Sequence, residues 1–243
     1  MREIHKWWSP NLNKYMEIVV YGYSGYALLL FPTAAADFLE YERFHLIDAI
    51  GEFLSRGDMK VFSVNSINNE SWLNTNMHPA DRAIRHQQFN SYVAEEVVHF
   101  IKTHCKGKVP IVTAGASLGA FHSANTFFRR PELFAGVIAM SGSYDIKAYS
   151  EGYYDDNCYF NSPVDYLPNL TDKKILSQLK NKQIIISTGQ GDYEAPEESQ
   201  RLSDILTSKG IKHWLDIWGH DVVHDWPTWR QMLPYYLGKI KFS

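Results

Sequence analysis

Five consecutive residues carry the spacing of a nucleophilic site: Gly115-Ala116-Ser117-Leu118-Gly119. The pattern G-x-S-x-G sets a serine on a sharp turn between a strand and a helix, so that its hydroxyl stands clear of the backbone. Gly115 and Gly119 are what such a turn needs, because a Cβ at either position would crowd the strand against the helix behind it. The same turn directs the N–H of Leu118 to where an oxyanion would form during acyl transfer. A serine is a weak nucleophile unless a base takes its proton and an acid holds that base in one tautomer. Two later loops supply both residue types in chain order. Thr188-Gly189-Gln190-Gly191-Asp192-Tyr193-Glu194 follows the apolar run QIIIS, with Asp192 the preferred acid and Glu194 the alternative. His224 is the preferred base, since Asp225 and Pro227 mark a helix start just after it; His220 is the alternative. A second oxyanion donor falls to a backbone N–H after the early strand YALLLF, at Thr33 or Ala34.

The elements that must hold these residues alternate between the two periodicities. Val109 to Thr113 reads as a buried strand, and Leu118 to Arg130 as a helix stopped by Pro131, with Ala116, Ala120 and Ala124 allowing a close crossing. Upstream, Tyr15 to Tyr21 and Tyr26 to Phe31 flank Gly22-Tyr23-Ser24-Gly25 and read as a hairpin. Phe44 to Ser55 is helical with Gly57 as its stop, Met59 to Val64 is a strand, and Asp81 to Lys106 is a long amphipathic helical pattern, in one piece or two. Leu133 to Ser141, Gln183 to Ser187 and Lys212 to Trp218 complete the strands; Ile175 to Leu179 and Glu197 to Ser208 are helical. This alternation predicts an α/β fold, a mostly parallel central sheet with helices on both faces. Two stretches break the rhythm. The polar loop from Asn65 to Pro79 offers Glu70, Trp72 and Asn74 as pocket residues. Tyr144 to Leu170, rich in Tyr, Asp and Asn, reads as a lid or pocket-lining insertion in which Tyr153 and Tyr154 would contact substrate.

Composition narrows the partners. At 243 residues the chain is long enough for one large α/β domain spanning 1–243. A net charge of −3 gives no footing for nucleic acid or an anionic membrane surface. Cys105 and Cys158 are expected as free thiols, and with no signal-like apolar run or spanning segment the expected location is cytoplasmic. His78, Arg82 and His86 share a helical face but make a poor metal site, because the histidines lie two turns apart with a cation between them. Adjacent Asp155 and Asp156 lack further oxygen ligands. No cofactor or metal is expected.

Several blocks carry a family resemblance: WWSPNLNKYMEI, FPTAAADFLEYE, NESW, GASLGAFHSAN, YYDDNCYFNSPVDYLPNL and HWLDIWGHDVVHDWPTWR. Together they resemble the esterase branch of the α/β-hydrolases, which includes esterase D-like and S-formylglutathione hydrolase-like enzymes, feruloyl esterases and bacterial mycolyltransferases. The resemblance implies Ser117 as nucleophile and His224, within H-D-W-P-x-W, as base. The cysteine and proline that often follow the acidic loop in such relatives are replaced by Tyr193-Glu194-Ala195-Pro196, which leaves the acid open between Asp192 and Glu194. The implied activity is serine carboxylic-ester hydrolysis through an acyl-enzyme, on a small-molecule ester. An acyltransferase using the same triad and a non-catalytic binding protein on this scaffold are the alternatives. Acyl and alcohol specificity and oligomeric state are not encoded legibly.

Overall fold

In the computed structural model, which describes residues 1–242, eight strands form one sheet. They are β1 (Arg2–Ser9), β2 (Lys14–Tyr21), β3 (Tyr26–Phe31), β4 (Met59–Val64), β5 (Ile111–Ala116), β6 (Gly136–Met140), β7 (Gln183–Thr188) and β8 (Trp214–Ile217). Their spatial order is β1-β2-β4-β3-β5-β6-β7-β8. β2 runs antiparallel to both its neighbours, and every pairing from β4 to β8 is parallel. The expected hairpin between Tyr15–Tyr21 and Tyr26–Phe31 does not form. β2 pairs instead with β1, an edge strand not anticipated from the sequence, and β4 lies between β2 and β3. Burial explains the difference: Ala27 to Phe31 are all fully buried, which suits a strand covered on both faces in the middle of a parallel sheet.

Alternate residues of each central strand feed two separate cores. Leu29 and Phe31 of β3 and Val137 and Ala139 of β6 point into one, with Ala120, Ala124 and Phe127 of the helix Leu118–Arg129. Leu28 and Leu30 of β3, Val112, Ala114 and Ala116 of β5, and Ile138 and Met140 of β6 point into the other, against Trp229, Met232 and Leu233 of the C-terminal helix Trp226–Leu237. Helices thus cover both faces, the arrangement expected from the alternating pattern. The long pattern from Asp81 is one run of helix, Pro79–Ser91, then a π-helical turn Tyr92–Val97, then Val98–His104. The 144–170 segment is a chain of short helices, Lys147–Ser150, Asp156–Tyr159 and Pro163–Tyr166, rather than open loop. No helix among the described residues is long and apolar enough to cross a membrane.

Candidate active site

Ser117 occupies the single residue between β5 and the helix Leu118–Arg129, with φ 55° and ψ −125°. That backbone conformation is costly for any residue with a Cβ and persists only where the surroundings enforce it. Here the enforcement is close packing at both flanking glycines. A Cβ on Gly115 would lie 2.3 Å from the Gly119 carbonyl oxygen, and one on Gly119 would lie 2.3 Å from that of Phe31. The elbow is therefore pressed against the end of β3 and the loop beyond it.

That loop carries Thr33 and Ala34, and the structure separates them. The Thr33 N–H donates to Glu40 Oε2 at 2.8 Å and its hydroxyl donates to Glu40 Oε1 at 2.6 Å, so the Thr33 amide is already spent. Glu40 is buried, which raises its carboxyl above the ordinary value against the lowering effect of the two Thr33 donors. The N–H groups of Ala34 and Leu118 donate to no acceptor among the described residues. Of the two expected loop donors, Ala34 remains available.

Beyond β7 and β8, the acid loop and the histidine loop are joined by backbone hydrogen bonds. Gly191 N–H donates to Val222 O at 2.9 Å and His224 N–H to Asp192 O at 3.1 Å. Only its main chain connects Asp192 to the histidine; its side chain is exposed. The carboxylate beside the imidazole belongs to Glu194, whose Oε2 lies 3.6 Å from His224 Nδ1 and whose side chain is 1% exposed. The structure thus does not bring the preferred Asp192 carboxylate to the imidazole: the loop turns so that Asp192 faces solvent and Glu194, two residues on, points inward. Glu194 Oε1 accepts from Ser141 Oγ at 2.6 Å and Oε2 from Thr188 Oγ1 at 2.9 Å. Burial pushes the Glu194 carboxyl up, but the adjoining His224 ring and the hydrogen bonds from Ser141 and Thr188 outweigh it and hold it below the usual glutamate value. Ser141 accepts in turn from Trp229 Nε1 at 3.1 Å and sits at φ 54°, a second strained residue at the end of β6. The Trp229 ring also meets His224 edge-on, with centroids 5.1 Å apart. His220 is exposed and outside this arrangement.

Ser117 and His224 share the walls of one cavity of about 190 Å³, with Leu118, Phe121, Ser141, Tyr149 and Tyr193 among its other lining residues. No hydrogen bond joins Ser117 Oγ to His224 among the described residues, and apo catalytic sites often have such bonds long. Of the substrate contacts expected from sequence, none lines this cavity. Trp72 is 1% exposed and packs in a cluster with Leu118 and Phe121, behind the cavity wall. Tyr153 donates to Asp155 Oδ2 at 3.0 Å, and Tyr154 donates to Asp165 beneath the Lys147 ammonium. Glu70 is tied to Lys14 and Arg85. The tyrosines that do reach the cavity are Tyr149, whose hydroxyl is shifted up by burial, and Tyr193, which is 93% exposed with φ 63°. Ser141, Thr188 and Trp229 had no sequence signal beyond lying at strand ends or in the H-D-W-P-x-W block.

Away from this cavity, Glu3, His5 and His104 bring a carboxylate and two imidazoles together. The other nitrogen of His104 lies 3.3 Å from Lys60 Nζ, where a metal-bound histidine would need an acceptor. The cluster fits an ion-paired surface better than a cation site.

No curated protein matches its sequence. A ferulic acid esterase superposes with a TM-score of 0.75 at 17% identity, covering 98% of this chain and 96% of the other. The S-formylglutathione hydrolase of Agrobacterium tumefaciens gives 0.75 at 14% identity, over 98% and 94%. That of Staphylococcus aureus gives 0.68 at 15%, over 98% and 95%. These likenesses establish the α/β-hydrolase fold. The sequence itself matches the family described as "Putative esterase" over residues 19–240. That match takes in the elbow, the acid loop and the histidine loop, and by it the chain belongs to the esterase family, the carboxylic ester hydrolases of the α/β-hydrolase fold.

Proposed function

We propose that the protein is a serine esterase working through an acyl-enzyme on Ser117, with His224 as base and Glu194 as the orienting acid. The observation that carries this reading is the placement of a strained, half-buried serine in one cavity with a histidine backed by a buried carboxylate. Since Nδ1 of His224 faces Glu194, Nε2 is the atom left to take the Ser117 proton. Ser117 Oγ then bonds the ester carbonyl carbon, and the carbonyl oxygen becomes an anion received by the N–H groups of Leu118 and Ala34. Collapse of this intermediate breaks the bond to the alcohol, which leaves with the proton from His224. Water attacks the acyl-serine by the same steps, giving up a proton to His224, and releases the acid. Glu194 stays ionised throughout and stabilises the imidazolium.

The modest cavity favours a short acyl group, with Phe121 and Leu118 forming an apolar wall beside Ser117. Tyr193, at the exposed mouth, is placed to meet the alcohol part. The test is hydrolysis of nitrophenyl esters of increasing acyl length. Turnover highest for acetate or butyrate and absent in Ser117→Ala supports the reading. Turnover that survives in folded Ser117→Ala removes it.

A further inference from the structure

The mechanism above leaves unused a buried polar chain that joins the two oxyanion donors from behind. Asn68 begins the short helical turn Asn68–Glu70 and is 1% exposed. Its Nδ2 donates to Ala34 O at 2.6 Å and reaches Thr33 O at 3.3 Å. Its Oδ1 faces His122 Nε2 at 2.8 Å, and His122 is 2% exposed on the helix that begins at Leu118. Because Nδ2 is committed to carbonyl oxygens, Oδ1 must accept, so the proton sits on His122 Nε2.

We propose that Asn68, held by His122, is the positioning residue that aims the Ala34 N–H into the oxyanion hole. This rests on the serine esterase reading. In a planar trans peptide the C=O of Thr33 and the N–H of Ala34 point in opposite directions. A donor that holds the Thr33 oxygen from behind therefore sets where the Ala34 N–H points. On the other side, Glu40 holds the Thr33 N–H and hydroxyl, so the loop is gripped at three successive peptide planes, the first by Glu40 and the next two by Asn68. The grip is referenced to the elbow itself, since His122 lies five residues after Ser117 on the same helix. One helix thus presents Leu118 N–H directly and sets Ala34 N–H through two side chains.

His122 is suited to this as a neutral donor. Burial pulls its pKa down to about 3, and its surroundings are the rings of Phe31, Phe89, Phe121 and His86. His86 is itself fully buried, and burial first, with His122 and Arg129 adding to it, lowers its pKa, so its ring brings no positive charge to the link. A charged ring would polarise Asn68 and change with pH; a neutral one gives a fixed donor across the working range.

The experiment compares wild type with Asn68→Ala, Asn68→Asp, His122→Gln and His122→Phe, measuring kcat, KM, melting temperature and inhibition by a trifluoromethyl ketone, whose adduct carries the oxyanion. Losing one aligned donor lowers kcat by about 100-fold, so Asn68→Ala is expected to lower kcat by roughly 10- to 100-fold with KM within about twofold. Affinity for the trifluoromethyl ketone should fall by the same factor. Asn68→Asp keeps the shape but cannot donate to the carbonyls, and should lose as much. His122→Gln, which can still donate to Asn68, should recover at least about tenfold of what His122→Phe loses. Folded Asn68 variants with wild-type kcat and inhibitor affinity overturn the proposal. So does a loss of kcat that tracks melting temperature while inhibitor affinity holds, the pattern of a purely structural contact. A wild type that turns over no activated ester overturns the esterase reading itself, a different result from active wild type with indifferent variants.

Discussion

Replacing Glu194 by glutamine isolates what the buried carboxylate does. The neutral amide can keep most of the geometry. Ser141 Oγ can accept from the new NH2 group while still accepting from Trp229, which leaves the amide oxygen toward Thr188 and His224. What disappears is the negative charge 3.6 Å from His224 Nδ1. At an effective dielectric near 20 that charge stabilises an imidazolium by about 4–5 kcal/mol. His224 is 24% exposed, so water screens part of this, and a working figure is about 3–4 kcal/mol, or 10²- to 10³-fold in kcat. Asp192→Asn provides the control: its side chain is exposed and only its backbone carbonyl touches the histidine loop, so kcat should stay within about twofold. The assay is steady-state hydrolysis of nitrophenyl acetate on protein whose melting curve is unchanged. Glu194→Gln within tenfold of wild type, or Asp192→Asn losing as much, refutes the assignment.

Other outcomes follow from the same geometry. Ser117→Ala should abolish turnover and leave the melting temperature within a few degrees, since the half-buried hydroxyl has little packing to lose. Gly119→Ala puts a Cβ 2.3 Å from Phe31 O and 2.7 Å from Pro32 O, so it should cost about 1–3 kcal/mol in denaturant unfolding and push the Ala34 loop out of register with Ser117. Because the Glu194 carboxyl is depressed in the folded state, its contribution to stability is present above the unfolded glutamate value, about 4.3, and lost as pH falls through the folded value. The difference in melting temperature between wild type and Glu194→Gln should therefore be largest near neutrality and shrink below about pH 4. Tyr149→Ala should alter relative turnover of short and long acyl esters, whereas Tyr153→Ala and Tyr154→Ala should change that ratio by less than about threefold.

The strands and helices that carry the site were legible because burial on two faces leaves long apolar runs such as YALLLF and QIIIS, and because Gly115 and Gly119 have no substitute at the elbow. Chain order likewise points to two loops that the structure joins to each other. What local sequence could not encode was direction. Asp192 and Glu194 are two residues apart on an irregular loop, and which one turns inward goes with contacts distant in sequence: backbone hydrogen bonds to Val222 and His224, and the hydroxyls of Ser141 and Thr188. The polar tips of Tyr153 and Tyr154 suggest substrate contacts, but they are satisfied by Asp155 and Asp165 within the insertion itself. Trp72 failed for a similar reason: an aromatic in a polar loop became the loop's anchor in the core. β1 was missed because its alternating exposure, with Arg2, Ile4, Lys6 and Trp8 outward, resembles a solvated terminus until β2 is placed beside it.

A covalent intermediate on Ser117 Oγ is tested most directly by reacting the folded protein with a fluorophosphonate and mapping the modified peptide by mass spectrometry. One adduct per chain on Ser117, abolished by Ser117→Ala and slowed in Glu194→Gln, is the predicted result. No adduct on folded protein, or an adduct that persists elsewhere when Ser117 is replaced, would contradict it.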